Sequence, residues 1–337
     1  MSADQTLLAT TPRGDSAVET PFYIPATGTA ARPRCALKYG DTFAIVDSYG
    51  DIGASAGGSD GLFHKDTRFL SLLELRVNGQ QLLLLGSNQR DDNTALSVDL
   101  TNPDFIVDGK IALQKDLLHI GRTMFLWHGT AYQRLAVRNH SDKPIELSLS
   151  IRFGSDFADL FEVRGLQRAR RGTAKQEMIG PDRVLLVYRG LDSKMRRSTL
   201  TFDPPPTELT VDTATYRLVI EAGEMHPLFI AMECDKPAEQ RAIPFFAGLL
   251  AVHRELRSAT HDAASIESSN EIFNEILCRS AADLQMLMTD TPEGRYPYAG
   301  TPWYSTTFGR DGLVTALQML WCDPKVARGV LRRLAAH

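Results

Sequence analysis

The sequence predicts an antiparallel β-sandwich followed by α-helices. Three observations carry that expectation. More than ten short apolar runs follow one another from residue 34 to about 235, separated by turn residues and with no helical period between them. One of them, Ile145–Phe153, alternates cleanly, with Ile145, Leu147, Leu149 and Ile151 on one face and Glu146, Ser148, Ser150 and Arg152 on the other. Near residue 240 the period changes to that of a helix and stays there. Alternating parallel β and α units would look different.

Residues 1–33 are rich in Thr, Ala, Pro and Gly and lack periodicity; they read as a loose tail that docks locally through Phe22, Tyr23 and Ile24. The sandwich is expected over 34–238. Its strands are Thr42–Asp47, Phe69–Val77, Gln80–Gly86, Thr94–Leu100, Lys110–Ile120, Arg122–His128, Tyr132–Asn139, Ile145–Phe153, Arg183–Tyr188, Ser198–Phe202, Ala214–Ile220 and Leu228–Met232. Asn78-Gly79 predicts a hairpin between the second and third of these, because both residues tolerate positive φ. Residues 139–144, Gly180-Pro-Asp and the Asp203-Pro-Pro-Pro run are further turns. Residues 239–262 form a linker helix, periodic over Phe245–Arg257. Residues 263–337 carry more helices. Over 268–288, Ser268 and Glu271 form a capping box, and Ile272, Phe273, Ile276, Leu277, Ala281, Leu284 and Leu287 recur at helical spacing. Residues 310–321 make the next helix. Asp323 then caps, with Pro324 at the first helical position. The apolar stripe of this last helix (Val326, Val330, Leu331, Leu334) has nothing downstream to bury it, so the chain reads as the N-terminal piece of a longer protein; a small helical cap folding back on the sandwich is the alternative.

At 337 residues the chain is long enough for about two domains and a sizeable core. Lys and Arg total 37 against 41 Asp and Glu, a net charge of −4, which argues against a nucleic-acid or anionic-membrane partner. The four cysteines, at 35, 234, 278 and 322, form no CxxC and read as reduced core thiols of a cytoplasmic protein. The N-terminus has no basic and apolar regions of a secretory signal, and the longest uncharged apolar stretch, Ile243–Val252, is far short of a bilayer span. None of the eight histidines makes a metal-binding spacing. The Gly-rich run Gly53–Gly61 lacks the lysine and helix of a phosphate loop and reads as a flexible turn. Arg164, Arg168, Arg170 and Arg171 cluster near a loop that either grips an anion or is simply solvated. Asp156, Asp159 and Glu162, spaced by three around Phe157, Leu160 and Phe161, read as one helical turn. Sugar hydroxyls or calcium are possible ligands for them, but without a Gly-bearing calcium loop a structural contact between domains is the better reading.

The stretch richest in chemistry is Tyr296–Gly312, YPYAGTPWYSTTFGRDG. Tyr298, Trp303, Tyr304 and Phe308 sit in a loop that leads into a helix opened by Arg310 and Asp311. A carboxylate is favoured at a helix N-terminus. It accepts two hydrogen bonds while a guanidinium donates several in a fixed fork, which together with flat aromatic faces suits a sugar ring. The bland alternative is packing aromatics, a cap and a salt bridge.

FGRDGLVTALQML, preceded by AGTPWYSTT, resembles the opening hairpin of the amylo-alpha-1,6-glucosidase (glycogen-debranching-type) family, six-hairpin (α/α)6-barrel glycosidases. GLFHKDTRFLSLLELRVNG and LAVRNHSDKPIELSLSIRFGSDFADLFEVRG resemble the β-sandwich that precedes the barrel in bacterial members. The resemblance runs from about 61 to 337; the barrel motif is shared with glucoamylase-like and trehalase-like enzymes. Gly312 departs from relatives that carry Ser or Thr, which removes one hydroxyl contact. The resemblance implies a truncated (α/α)6 barrel over 263–337 and an Arg310–Asp311 pair holding a terminal glucosyl residue beside Trp303, Tyr304 and Phe308. It also implies no cofactor, no metal, and inverting hydrolysis by two carboxylates in later hairpins, so no catalytic acid or base lies in this chain. The expected partners are an alpha-glucan or oligosaccharide and the remaining barrel helices. The alternatives are a non-catalytic carbohydrate-binding or scaffold module, and a same-fold hydrolase of another small glucoside.

Overall fold

The computed structural model of the protein describes residues 33–53, 58–260, 264 and 266–336. Residues 1–32 of the tail, with Phe22, Tyr23 and Ile24, and residues 54–57 of the Gly-rich turn lie outside the described residues. In chain order the first strands are β1 (Arg34–Tyr39), β2 (Thr42–Asp47), β3 (Gly61–His64), β4 (Thr67–Leu70), β5 (Leu72–Val77) and β6 (Leu83–Gln89). They continue with β7 (Ala95–Thr101), β8 (Phe105–Val107), β9 (Lys110–Leu113), β10 (Leu118–Trp127), β11 (Thr130–Asn139) and β12 (Ile145–Gly154). A single-turn helix α1 (Leu160–Val163) precedes β13 (Thr173–Gly180), β14 (Arg183–Arg189), β15 (Met195–Asp203), β16 (Glu208–Leu209), β17 (Thr213–Ile220) and β18 (Met225–Cys234). Then come α2 (Phe245–Thr260), α3 (Glu271–Leu287), the hairpin β19 (Met288–Thr291) and β20 (Gly294–Pro297), α4 (Gly309–Met319) and α5 (Pro324–Ala335).

The architecture is β-sandwich-like and antiparallel. An eight-stranded sheet, β13-β14-β15-β18-β11-β10-β7-β6, faces a four-stranded sheet, β16-β17-β12-β5. A second four-stranded sheet, β1-β2-β3-β4, joins the same core. The inward residues of β12 (Leu147, Leu149, Ile151, Phe153) meet those of the large sheet (Val98, Leu100, Leu135, Leu200, Phe202, Ile230), all buried. Stripping this much apolar surface of water is the main force closing the sandwich. The outer face of the large sheet is not left to water. Phe125 and Tyr132 stack at 4.8 Å, and Phe245 at the start of α2 meets Phe125 edge-on at 5.0 Å. The sheet therefore has a buried layer on both faces, and α2 ties the helical segment to it.

Local signals misjudge several connections. Asn78 and Gly79 do form the tight turn, both at positive φ, with Val77 and Gln80 exchanging backbone hydrogen bonds. The flanking strands then part. β5 pairs with β12 and β6 with β7, so the predicted hairpin does not exist. The alternating burial of β5 commits Leu73, Leu75 and Val77 to the small sheet, while β6 is a mostly exposed edge. The run Phe69–Val77 is broken at Ser71, whose N–H donates to Gly154 O at 2.8 Å. Lys110–Ile120 is not one strand. Asn102 accepts from the N–H groups of Leu117 and Leu118 and donates to Gln114 O, so the backbone turns there and β10 runs on through Gly121. In the helical region the Ser268–Glu271 capping box does not form. Asn270 is the N-cap, its side chain accepting from Phe273 N, and Ser268 donates to Asn270 O instead. Asp323 caps α5 as expected, with Pro324 at its first position. β19–β20 interrupts the helices where none but helices and a loop were expected. The cysteines are free, but only Cys234 is buried, and Cys278 is exposed on α3. No helix among the described residues is long and apolar enough to cross a membrane.

Candidate functional site

The predicted site residues all lie between β20 and the first turn of α4. Tyr296 and Tyr298, on and just after β20, anchor the segment. Tyr296 is fully buried, and its hydroxyl donates to Phe308 O at 2.7 Å, fixing the residue where α4 begins. Tyr298 reaches the sandwich, its hydroxyl donating to Asp41 Oδ1 at 2.9 Å. Burial and the Asp41 carboxylate hold the Tyr298 phenol well above its ordinary range. Gly312 faces Tyr296. A Cβ there would overlap the Tyr296 hydroxyl and lie 2.7 Å from Cζ, so a Ser or Thr at this position has no room in this packing. Glycine at this position thus meets a packing requirement set by Tyr296.

Arg310 and Asp311 open α4 side by side, Nε to Oδ2 3.7 Å, with their side chains 89% and 40% exposed. Phe308 is the N-cap residue and offers no side-chain cap, so neither Arg310 nor Asp311 is spent as a cap. Tyr304 and Phe308 meet edge-on at 5.5 Å. Trp303 points elsewhere. It packs with Val163 against a sandwich cluster of Phe43, Ile45, Phe63 and Leu160, and the Arg164 guanidinium lies 5.3 Å from its ring centre. The five predicted residues thus form two neighbouring groups: Tyr304 with Phe308, beside the Arg310–Asp311 pair, and Trp303 facing α1.

The carboxylates of the acidic turn are engaged within the sandwich and not, as expected, in a contact between domains. Asp159 accepts from Phe161 N and Glu162 N, and Glu162 accepts from Asp159 N, a complete capping box. Arg168 pairs with Asp159, Arg171 with Glu162 at 2.9 Å, and Arg68 with Asp156.

Sequence reasoning missed a cavity of about 850 Å³ between the sandwich and the helices, lined among others by Lys38, Tyr39, His64, Glu255, Asp290 and Arg295. Glu255, on α2, accepts from Tyr39 Oη and from Trp127 Nε1 at 3.1 Å. Lys38 crosses to the hairpin, donating to Thr289 Oγ1 at 2.8 Å. The cavity's named residues come from β1, β3, α2, β19 and β20, and no local pattern joins these. Burial pushes the Lys38 ammonium down to about 8, with Asp41 opposing the shift. Between that value and the unfolded 10.5, the unfolded chain holds the extra proton, so stability rises with pH. The stability difference between the wild type and Lys38→Met is expected to move by about 2 kcal/mol in favour of the wild type between about pH 7 and pH 9.5. Urea unfolding of both at each pH measures this, and a flat difference rejects it.

Residues 37–231 match the family model described as the N-terminal domain of some glycogen debranching enzymes. The sandwich is thus a domain of a carbohydrate-active enzyme family. The match spans more than half of the chain, which belongs to this family of glycogen-debranching N-terminal domains. No curated protein matches the chain. Among solved structures, it is similar to a protein named as a kojibiose phosphorylase from the human microbiome, at 12% identity and TM-score 0.40, over 76% of this chain and 36% of that one. It is also similar to a galactose mutarotase related enzyme of Lactobacillus acidophilus (8% identity, TM-score 0.34, 63% and 100% covered). A galactose mutarotase-like protein of Lactobacillus casei matches at 11% identity and TM-score 0.34, over 60% of this chain and 100% of its own. The chain spans about a third of the phosphorylase's length.

Proposed function

We propose that the chain is the N-terminal portion of an alpha-glucan exo-glycosidase of amylo-alpha-1,6-glucosidase type, in which residues 34–238 form the sandwich and 263–337 open a six-hairpin (α/α)6 barrel. The observation that carries this is the exposed Arg310–Asp311 pair at the head of α4, beside Tyr304 and Phe308, on helices whose apolar faces lack cover. α3 buries no residue, and Ile272, Phe273 and Ile276 are exposed. So are Leu313, Val314, Leu317, Leu320 and Trp321 on and after α4. Apolar stripes of this extent mark surfaces meant for partners, and further barrel helices are the partners that complete a sugar pocket around Arg310 and Asp311.

In that pocket Asp311 accepts hydrogen bonds from ring hydroxyls of a terminal glucosyl unit, and Arg310 donates to them. Neither moves a proton. Inverting hydrolysis needs two carboxylates about 6.5–9.5 Å apart, one protonating the leaving oxygen and one activating water, and both are assigned to the later hairpins. The purified chain is therefore expected to release no glucose from branched dextrin, while the longer enzyme does. Sustained glucose release by the chain alone, abolished by Asp311→Ala, would place the chemistry within these residues and overturn the assignment.

A further inference from the structure

We propose that the sandwich itself supplies a sugar-binding wall: Arg164 and Phe161, on the α1 turn, form with Trp303 a platform for the glucan. It rests on the reading above and deepens it by adding sandwich residues to the sugar contacts made by the barrel segment, here through Trp303. Three observations carry it. Arg164 sits over the Trp303 ring, within cation–π range, yet its guanidinium donates no hydrogen bond among the described residues and its side chain is exposed. Five donors are thus held in place and left unspent. Phe161 and Arg164, three residues apart, share a face of the turn, and Phe161 is 63% exposed, an aromatic ring left in water. Finally, the turn is held rigid from below. Its capping box is closed, Arg168 and Arg171 clamp Asp159 and Glu162, Arg68 holds Asp156, and Leu160 is buried beside Phe43 and Phe63. Such bracing beneath an exposed aromatic and an unspent guanidinium is what a preorganised site needs, because the groups that meet the ligand are already fixed.

The chemistry selects a neutral polyhydroxylated ring. Flat aromatic faces stack against the apolar side of a sugar, and a guanidinium fork donates to adjacent hydroxyls.

Because Arg164, Phe161 and Trp303 all lie in this chain, the platform is testable without further helices. Binding of maltohexaose to the 337-residue protein, followed by tryptophan fluorescence and by the indole N–H resonances, is expected to perturb Trp303. Arg164→Ala and Phe161→Ala should each weaken it about tenfold, and Arg164→Lys should not restore it, since the planar fork is lost. Neither exposed substitution should move the thermal midpoint. No binding by the wild-type chain, or binding indifferent to Arg164→Ala and Phe161→Ala, overturns the platform. Binding lost in Arg310→Ala but kept in Arg164→Ala also overturns it while upholding the role given to Arg310, so the two readings fail separately.

Discussion

Asp51→Ala is expected to destabilise the sandwich by about 3–5 kcal/mol, the cost of leaving a buried charge without its partner. Arg122 on β10 and Asp51 after β2 are both almost fully buried, with Nη1 to Oδ1 at 2.6 Å. The guanidinium is otherwise held by Tyr49 O and Gly50 O, each at 2.7 Å, and by Gln133 with its amide oxygen turned inward, at 3.0 Å from Nε and 2.9 Å from Nη2. The two partners are not equivalent. Burial already raises the Asp51 carboxyl above its ordinary range, more than Arg122 lowers it. If Arg122 is removed, Asp51 can take up a proton and escape. An arginine has no such exit near neutral pH. Arg122→Met should therefore cost less than Asp51→Ala, and the double replacement Arg122→Met with Asp51→Leu should recover much of the loss, since a well-packed apolar pair often matches a buried ion pair. Urea unfolding of the three variants decides this. If Arg122→Met is the more damaging single change, proton uptake by Asp51 is not the relief assumed.

The strands that alternated in the sequence are the strands of the sandwich. Ile145–Phe153 becomes β12 because its inward set has a single way to face the core. The same local reading fails where two strands must choose partners. Asn78-Gly79 specifies a turn, not which sheet each arm joins, and that choice depends on β12 and β7, distant in the chain. β19–β20 escaped notice because each strand has four residues and its buried positions, Met288 with Thr289 and Tyr296 with Pro297, are consecutive and show no alternation, although Pro292-Glu-Gly294 carries a turn signal. At the candidate site, the Arg-Asp pair at a helix start and the aromatics beside it were legible from their spacing. That Trp303 turns to Arg164 was not, because a cation over a ring across so many residues leaves no local pattern. The cavity framed by Lys38, Glu255 and Asp290 was invisible for the same reason.

The second large effect belongs to Asp311. Its replacement by Asn keeps the shape at the head of α4 and removes the charge that the proposed sugar hydroxyls meet. Hydrogen bonds to charged groups contribute about 1.5–3 kcal/mol. At about 1.36 kcal/mol per tenfold, one such contact corresponds to roughly 10–150-fold in kcat/KM. Arg310→Lys should fall as well, because an ammonium cannot reproduce the fork. Both side chains are exposed and neither caps α4, so the thermal midpoint should hardly move. The pH profile should keep its limbs, since neither group is assigned a proton.

The most direct test of the central assignment is kcat/KM for a branched dextrin, measured with the longer enzyme carrying Asp311→Asn and compared with its thermal midpoint. The account predicts a fall of at least about tenfold at an unchanged midpoint. An unchanged kcat/KM, with or without a lowered midpoint, would make Arg310 and Asp311 a structural pair and contradict it.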